Sequence, residues 1–418
     1  MEWLGDIPEH WELTRLGTRF LERKTKVSDK DFPPLSVTKN GVLPQLDNAA
    51  KSNDGDNRKL VKKGDFVINS RSDRKASSGI SDRDGSVSLI YIVIKPVNIN
   101  STYCNYLLRG YNFVEEFYRM GHGIVADLWT TRYDEMKSIM VGIPPIEEQT
   151  TIANFLDDKT AKIDQAITIK QKQIELLKQR RQILIHKAVT RGLNEDIKLK
   201  ESGVEWIGEI PSHWNCVKFK YIIRTKARLG WKGLKAAEYV DKSDYGFLST
   251  PNIKTRNIDF KKAYFISKRR YDESPEIILK VGDVLLVKDG STLGITNIVR
   301  ELPFACTVNS SIAVMRVINL NTLLPEYLDY FLKSETCQRI IEKKKDGMGV
   351  PHLFQSDINN FSIPIFPISE QKEIVEFIEN TAIKIATAIS LKEQEIEKLK
   401  EYKMSLIDGV VTGKVKIY

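Results

Sequence analysis

Ten residues, EWLGDIPEHW at 2–11, return as EWIGEIPSHW at 205–214, and chance does not produce such a match. The chain is written twice, so its fold must accommodate two copies of one unit. VKKGDFVI (61–68) pairs with LKVGDVLL (279–286), where each Gly-Asp reads as a turn entering a buried strand. A weaker echo links Leu35–Asn40 with Leu248–Ile253. Ile143-Pro144 and Glu148-Gln149 recur as Ile363-Pro364 and Glu370-Gln371, and Val189-Thr190 recurs as Val411-Thr412. The offset between copies drifts at first and is constant from Glu148 onward. A divergent, loop-bearing domain is therefore followed by a spacer of fixed length.

The spacers have the pattern of coiled-coil helices. No Gly or Pro interrupts residues 148–189, and apolar residues recur at every third and fourth step. In heptad register the first seam contains Leu156, Ile163, Ile167, Lys170, Ile174, Leu177 and Leu184. The second contains Ile378, Ile385, Ile389, Lys392, Ile396, Leu399 and Leu406. Even the misfits agree, Lys170 with Lys392 and Arg181 with Lys403, and polar seam residues specify register and orientation at a cost in stability. A helix of this span is roughly 60 Å long. Antiparallel pairing would carry the two domains to opposite ends, related by a pseudo-two-fold axis. If each helix merely capped its own domain, neither the equal lengths nor the matched polar positions would be explained. Off the seam, Ile169, Leu176 and Ile183 form an apolar stripe that either packs on this chain's own domain or docks a partner subunit. The second copy's V-T stands shortly before where another E-W motif would begin, and Glu2-Trp3 supplies one, so the chain is expected to be pseudo-cyclic.

The expected fold class is α+β, two repeated α/β domains joined by two long antiparallel coiled-coil helices. The boundaries read 1–146 for the first domain, 147–192 for the first helix, 193–204 for a polar linker, 205–367 for the second domain, 368–412 for the second helix and 413–418 for a tail near the N-terminus. At 418 residues and 41% hydrophobic content the chain can fill more than one core. Lys and Arg number 64 against 55 acids, a net +9 whose sign suits a polyanionic partner. Cys104, Cys216, Cys306 and Cys337 stand apart with no C-x-x-C pair, which argues against a zinc site or disulfide framework. The start lacks a basic then apolar leader, and the longest apolar run, near Leu89 to Ile94, is strand-length. A cytoplasmic location is expected.

Catalytic signatures do not assemble in this sequence. An amino-methyltransferase needs an [D/N/S]-P-P-[Y/F] loop to grip a flipped base, and Phe32–Leu35 and Ile143–Ile146 both fail that pattern. Gly121–Ala126 fits a loose G-x-G-x-x-A turn, but the matching Gly347–His352 does not continue it, so both read as loops. Glu342–Lys344 offers only the E-x-K end of a nuclease motif. His10 and His213 belong to the repeated Trp motif and read as structural, and His122, His186 and His352 form no ligand set. No Walker A sequence is present.

The duplicated E-W-[LI]-G-x-I-P-x-H-W, the Gly-Asp strand entry, the I-P…E-Q helix start and the V-T end, in this order over essentially the whole chain, resemble the specificity subunits of Type I restriction-modification systems. The resemblance implies two target-recognition domains, each reading half of a split, asymmetric double-stranded DNA site, with the helices setting the unread gap. It implies a non-catalytic chain that binds no cofactor. Two methyltransferase (modification) subunits would dock on the helices and bring S-adenosylmethionine for adenine-N6 methylation. Separate restriction/translocase subunits would use ATP and magnesium to translocate and cut. A modification-only system, or a scaffold whose coiled coil binds protein alone, is the alternative reading.

Arg and Lys suit guanine edges, Asn and Gln suit adenine, and further basic groups hold phosphates. The loop after the first Gly-Asp strand has that composition, with Asn69, Arg71, Arg74, Lys75 and Ser77; its counterpart has Lys288, Ser291 and Thr292. A solvated hairpin is the plain alternative. Lys39, Asn40, Lys254, Arg256, and the glycine loops at His122 and Met348 are secondary candidates. The two sets differ chemically, so the half-sites are expected to differ.

Overall fold

The computed structural model describes residues 3–45, 55–123, 129–228, 234, 236–343 and 351–417. The chain divides into two compact units, residues 1–171 with 392–418, and residues 172–391. Two helices, Ile146–Arg191 and Ile368–Val411, have 46 and 44 residues and contribute to both units. Each starts directly after a proline, Pro145 or Pro367, with glutamates in its first turn at the positive end of the helix dipole. Each stops at a glycine in the left-handed region, Gly192 or Gly413, both at φ +75°. The second stop comes earlier in its copy, which accounts for the shorter helix.

The helices run antiparallel. In the first unit Lys170 meets Glu395 at 2.5 Å and Asp164 meets Lys403 at 2.6 Å, one number falling as the other rises. There Leu156 and Ile163 share a core with Leu406 and Val410. In the second unit Ile185 and Val189 share a core with Ile374 and Ile378. Of the seam residues, Leu156, Ile163, Ile174, Ile378, Ile385, Ile396 and Leu406 are buried, and Ile167, Leu177, Leu184, Ile389 and Leu399 are half-buried. Lys170 and Lys392 are half-buried too, because their long stems line the seam while both ammonium groups reach Glu395 at its edge. The stripe Ile169, Leu176 and Ile183 is 49%, 54% and 50% exposed, so it does not pack on this chain's own domains.

Both domains are built on a four-stranded antiparallel sheet with the same strand order. In the first the order is Phe20–Glu22, Tyr91–Pro96, Phe66–Asn69, Ser78–Ile80; in the second it is Ile223–Lys226, Ile312–Val317, Val284–Val287, Thr296–Ile298. The central strands are mostly apolar, without strict alternation, because both sheet faces are covered. Phe66 and Ile68 enter the core that includes the long helices, whereas Val67 enters a second core; Val284 and Leu286 alternate with Leu285 and Val287 in the same way.

The second cores differ between the domains. The first is covered by the hairpin Leu35–Thr38/Gly41–Pro44 and the strands Lys26–Val27, Arg58–Val61 and Gly85–Val87. In the second, Tyr245–Leu248 pairs parallel with Ala305–Val308 and antiparallel with Tyr264–Phe265. The weak echo of Leu35–Asn40 with Leu248–Ile253 is therefore no structural equivalence. Lys39 and Asn40 form a hairpin tip, and Thr250–Ile253 is a helical turn. Strand pairing also corrects the helix-start alignment. Glu12 pairs with Ile143 and Asn215 with Ile365, so Ile143 corresponds to Ile365 rather than Ile363, and the shared start is P-I-x-E-Q at 145–149 and 367–371. Among the described residues no helix is long and apolar enough to cross a membrane.

Candidate nucleic-acid interface

The repeated tryptophan and histidine close on the repeated glutamate. Trp11 donates its indole N–H to Glu148 Oε1 at 3.0 Å while His10 Nε2 lies 2.9 Å from Oε2. Trp214 and His213 hold Glu370 in the same way, at 3.1 and 2.8 Å. The adjacent glutamine completes the joint. Gln149 donates to the Pro144 carbonyl and accepts the Asn100 N–H, and Gln371 donates to Phe366 and Thr322 carbonyls and accepts the Leu324 N–H. Beside the same joint a buried tyrosine ties in the end of the other long helix. Tyr103 donates to the Gly142 and Val411 carbonyls, Tyr327 to those of Pro364 and Val189. Burial pushes both phenols far above their ordinary range. Each domain is thus fastened to the start of one long helix and the end of the other.

The Gly-Asp pair sets the strand that leads to the loops. Gly64 and Gly282 both take φ +89°, a conformation open to glycine and costly for side chains. Asp65 and Asp283 are buried, cap their turns through the N–H of Lys62 and Lys280, and are gripped at two oxygens by Arg23 and Arg316. That carboxylate raises each guanidinium above its ordinary value.

Beyond the strands, loops distant in sequence meet. In the first unit Arg71 and His122 both bridge to Thr130, and the Ser72 N–H donates to the Trp129 carbonyl at 2.9 Å. The loop that carries Arg71, Arg74 and Lys75 is therefore joined through its backbone to the segments of His122 and Trp129. Arg74 and His122 are exposed, Arg71 lies 3.1 Å from Asp73, and Lys75 lies 2.5 Å from Glu115. In the second unit Asp289 bridges to His352 and the Gly290 N–H donates to the Pro351 carbonyl at 3.0 Å. Ser291 is exposed there and Thr292 half-exposed.

Three expected contact residues, two in the first unit and one in the second, are withdrawn from the loop surfaces by packing. Asn69 is 1% exposed; its side-chain oxygen accepts the Arg71 N–H at 2.9 Å and its carbonyl accepts from Tyr118, so it shapes the loop. Ser77 is buried. Lys288 folds back to 3.3 Å from Asp289 with its stem covered. Composition named these residues because a loop's polar content says nothing of which side chains turn inward. Lys39 and Asn40 are exposed at their hairpin tip, where Arg109 donates to the Lys39 carbonyl at 2.6 Å. Lys254 and Arg256 are exposed beside carbonyls of Ile253 and Thr255 held by Asn297. Met348 lies outside the described residues.

Trp129, Arg132 and Phe354 were not anticipated. The constant offset of 222 already holds at Thr130 and His352, which occupy the same bridge position, so their alignment was available in principle. Their identities share too little to display it.

Comparison with known proteins agrees with this plan. The model described as the Type I restriction modification DNA specificity domain matches residues 225–401. The MjaVIII type I restriction enzyme specificity subunit of Methanocaldococcus jannaschii is 25% identical over 289 residues, 67% of this chain and 63% of that protein. The EcoBI specificity subunit of Escherichia coli is 26% identical over 62% of this chain and 54% of its own length. These matches span less than two thirds of the relatives' length. A chain from a solved type I R-M system structure superposes with TM-score 0.71 at 16% identity, covering 98% of this chain and all of that one. The HsdS subunit of Thermoanaerobacter tengcongensis gives 0.56 at 16% identity, with 98% of each chain covered. The fold is common to the full length of both solved chains, and the family model lies across the second sheet and much of the second long helix. The chain is thus similar to the specificity subunits of Type I restriction-modification systems, in sequence across its second half and in fold along its whole length.

Proposed function

We propose that the chain is the DNA sequence-recognition subunit of a Type I restriction-modification complex, each domain reading one half of a bipartite, asymmetric site. One observation carries the reading: two units share a frame and differ at its reading end. Sheet order, Trp-His-Glu clamp and tyrosine anchor recur, while the loops beyond them are cationic in one unit and carry Asp289, Ser291 and His352 in the other. One frame presenting two chemistries suits two unlike half-sites, because base edges are distinguished by the side chains that reach them. The net positive charge favours the phosphates.

The paired helices set the unread gap between half-sites. The half-exposed stripe of Ile169, Leu176 and Ile183 offers a methyltransferase subunit an apolar seat. Chemistry then belongs to the partners: adenine-N6 methylation with S-adenosylmethionine on two methyltransferase subunits, and ATP- and magnesium-dependent translocation and cleavage on restriction subunits. The chain supplies specificity alone, in the cytoplasm. Mapping methylated adenines in DNA from cells carrying this chain with its methyltransferase tests this. A single motif with two unlike halves and a fixed gap is expected. A palindromic motif, or a methylation pattern unchanged when the chain is deleted, rejects the proposal.

A further inference from the structure

Arg132 and Phe354 stand at the same point of the two frames. Each follows by two residues the bridge that joins the loops, Arg71 to Thr130 in one unit and Asp289 to His352 in the other. Each precedes a short helix, Tyr133–Met136 or Gln355–Asn360, and offers its backbone N–H to an acid three residues on, Glu135 at 2.8 Å or Asp357 at 3.0 Å. Each helix is then pinned to the edge strand of its sheet, Tyr133 to the Phe20 carbonyl at 2.7 Å and Gln355 to the Thr225 carbonyl at 2.6 Å. The backbone at this position is held rigidly while the side chain projects.

The first unit places there an exposed arginine, a residue suited to guanine edges; the second places a phenylalanine that is 63% exposed. A large apolar ring at a rigid, outward position is explained by no core of this chain. That ring and the His352 ring pack in a T-shaped pair with centroids 4.7 Å apart, and Asp289 is occupied by Lys288 at 3.3 Å and His352 at 3.8 Å. The strand that anchors the short helix presents Arg224 and Lys226 to solvent. An exposed ring on a helix anchored to a strand that carries two exposed cations suits a duplex groove, where thymine alone carries a methyl group and Phe makes apolar contact with it.

We infer that Phe354 is a specificity-determining residue of the second domain, its ring packing on the 5-methyl group of a thymine in the second half-site, with His352 packed against it. This rests on the proposed DNA-reading function. The test uses the full chain with its methyltransferase partner and duplexes carrying the mapped site, in which each thymine of the second half-site is replaced by deoxyuridine, which lacks only the methyl. Affinity is expected to fall about fourfold at one thymine, the value of one buried methyl group. Phe354→Ala should lose that discrimination while Phe354→Leu retains part of it, both with unchanged melting temperature. Equal affinity for every thymine and deoxyuridine duplex, undiminished discrimination by Phe354→Ala, or a second half-site without thymine overturns the inference. A complex that shows no preference for the mapped site over random DNA overturns the recognition function itself, and this inference with it.

Discussion

Glu148 and Glu370 are single side chains on which a whole domain is seated. Trp11 is 6% exposed and Trp214 fully buried, so removing the carboxylate leaves an indole N–H in the interior without its acceptor. Glu148→Ala or Glu370→Ala should each cost about 1–3 kcal/mol by urea unfolding, and the Gln variants, which keep an acceptor oxygen, should cost less. Asp408 makes a different case. Its carboxylate receives the N–H groups of Tyr111 and Asn112 at the start of the helix Tyr111–Arg119, whose own N-cap, Gly110, supplies no side chain. A Cβ at Gly110 would stand 2.7 Å from that carboxylate. Burial raises the Asp408 pKa above its ordinary 3.8, outweighing the backbone hydrogen bonds and Lys414, which lower it. The folded state therefore binds the proton more tightly than the unfolded chain. The resulting stability is present below 3.8 and is lost as pH rises through the folded value. Asp408→Asn keeps an acceptor without the buried charge. Its melting temperature should equal or exceed wild type at neutral pH, with any such advantage shrinking as pH falls toward 3.8, while Asp408→Ala loses the cap, about 0.5–2 kcal/mol. The aligned residue in the other copy is His186, whose Nδ1 lies 3.1 Å from Thr336 Oγ1 near the start of Glu335–Lys343 and whose pKa burial lowers. The copies keep the joint and change its chemistry.

At the scale of the element, the long helices were legible because nothing interrupts them and their apolar residues hold one period. Their orientation was legible only as a consequence of pairing. The polar seam residues make unequal bonds: Lys170 crosses to Glu395, whereas Lys392 turns to the same Glu395 on its own helix at 3.2 Å, because the aligned position in the first helix is Gln173. Both lysines hold the Glu395 carboxyl below its ordinary range. Lys403 meets Asp164, while the position aligned with Asp164 is Ala386. Removing one matched heptad from both helices shortens each by about 10 Å at 1.5 Å per residue. The unread DNA gap should contract by about three base pairs, with the half-site letters unchanged. Methylation mapping reads both quantities, and an unchanged gap in a folded variant rejects the helices as the ruler.

For the whole molecule, duplication made the plan visible early. The segment after the second V-T returns to the first E-W motif, with Gly413 against Pro8 and Trp11 and Lys414 against Gly5. Those contacts bring first and last elements into one unit. The central sheets were less legible. Their strands are buried on both faces, so they show no alternation in sequence, and only the pairing reveals that within each domain neighbouring residues serve different cores, Phe66 and Val67 in the first and Leu285 and Leu286 in the second. The layers over those second cores follow different topologies, which is why a sequence echo there misled.

Periodicity and repetition were enough to establish two copies, two long helices and a Gly-Asp strand entry, because each depends on residues close in the chain or on a pattern repeated in it. The reading end depended on tertiary structure. Asn69 turning inward, Arg71 meeting Thr130, and Arg132 and Phe354 sharing one projecting position follow from backbone pairing between loops up to some sixty residues apart. Local composition carries no record of that pairing. The clamp lies between these extremes: its four kinds of residue, Trp, His, Glu and Gln, stood out in the sequence as repeats, and only the fold placed the Trp and His motif on the Glu-Gln start of the helix that follows.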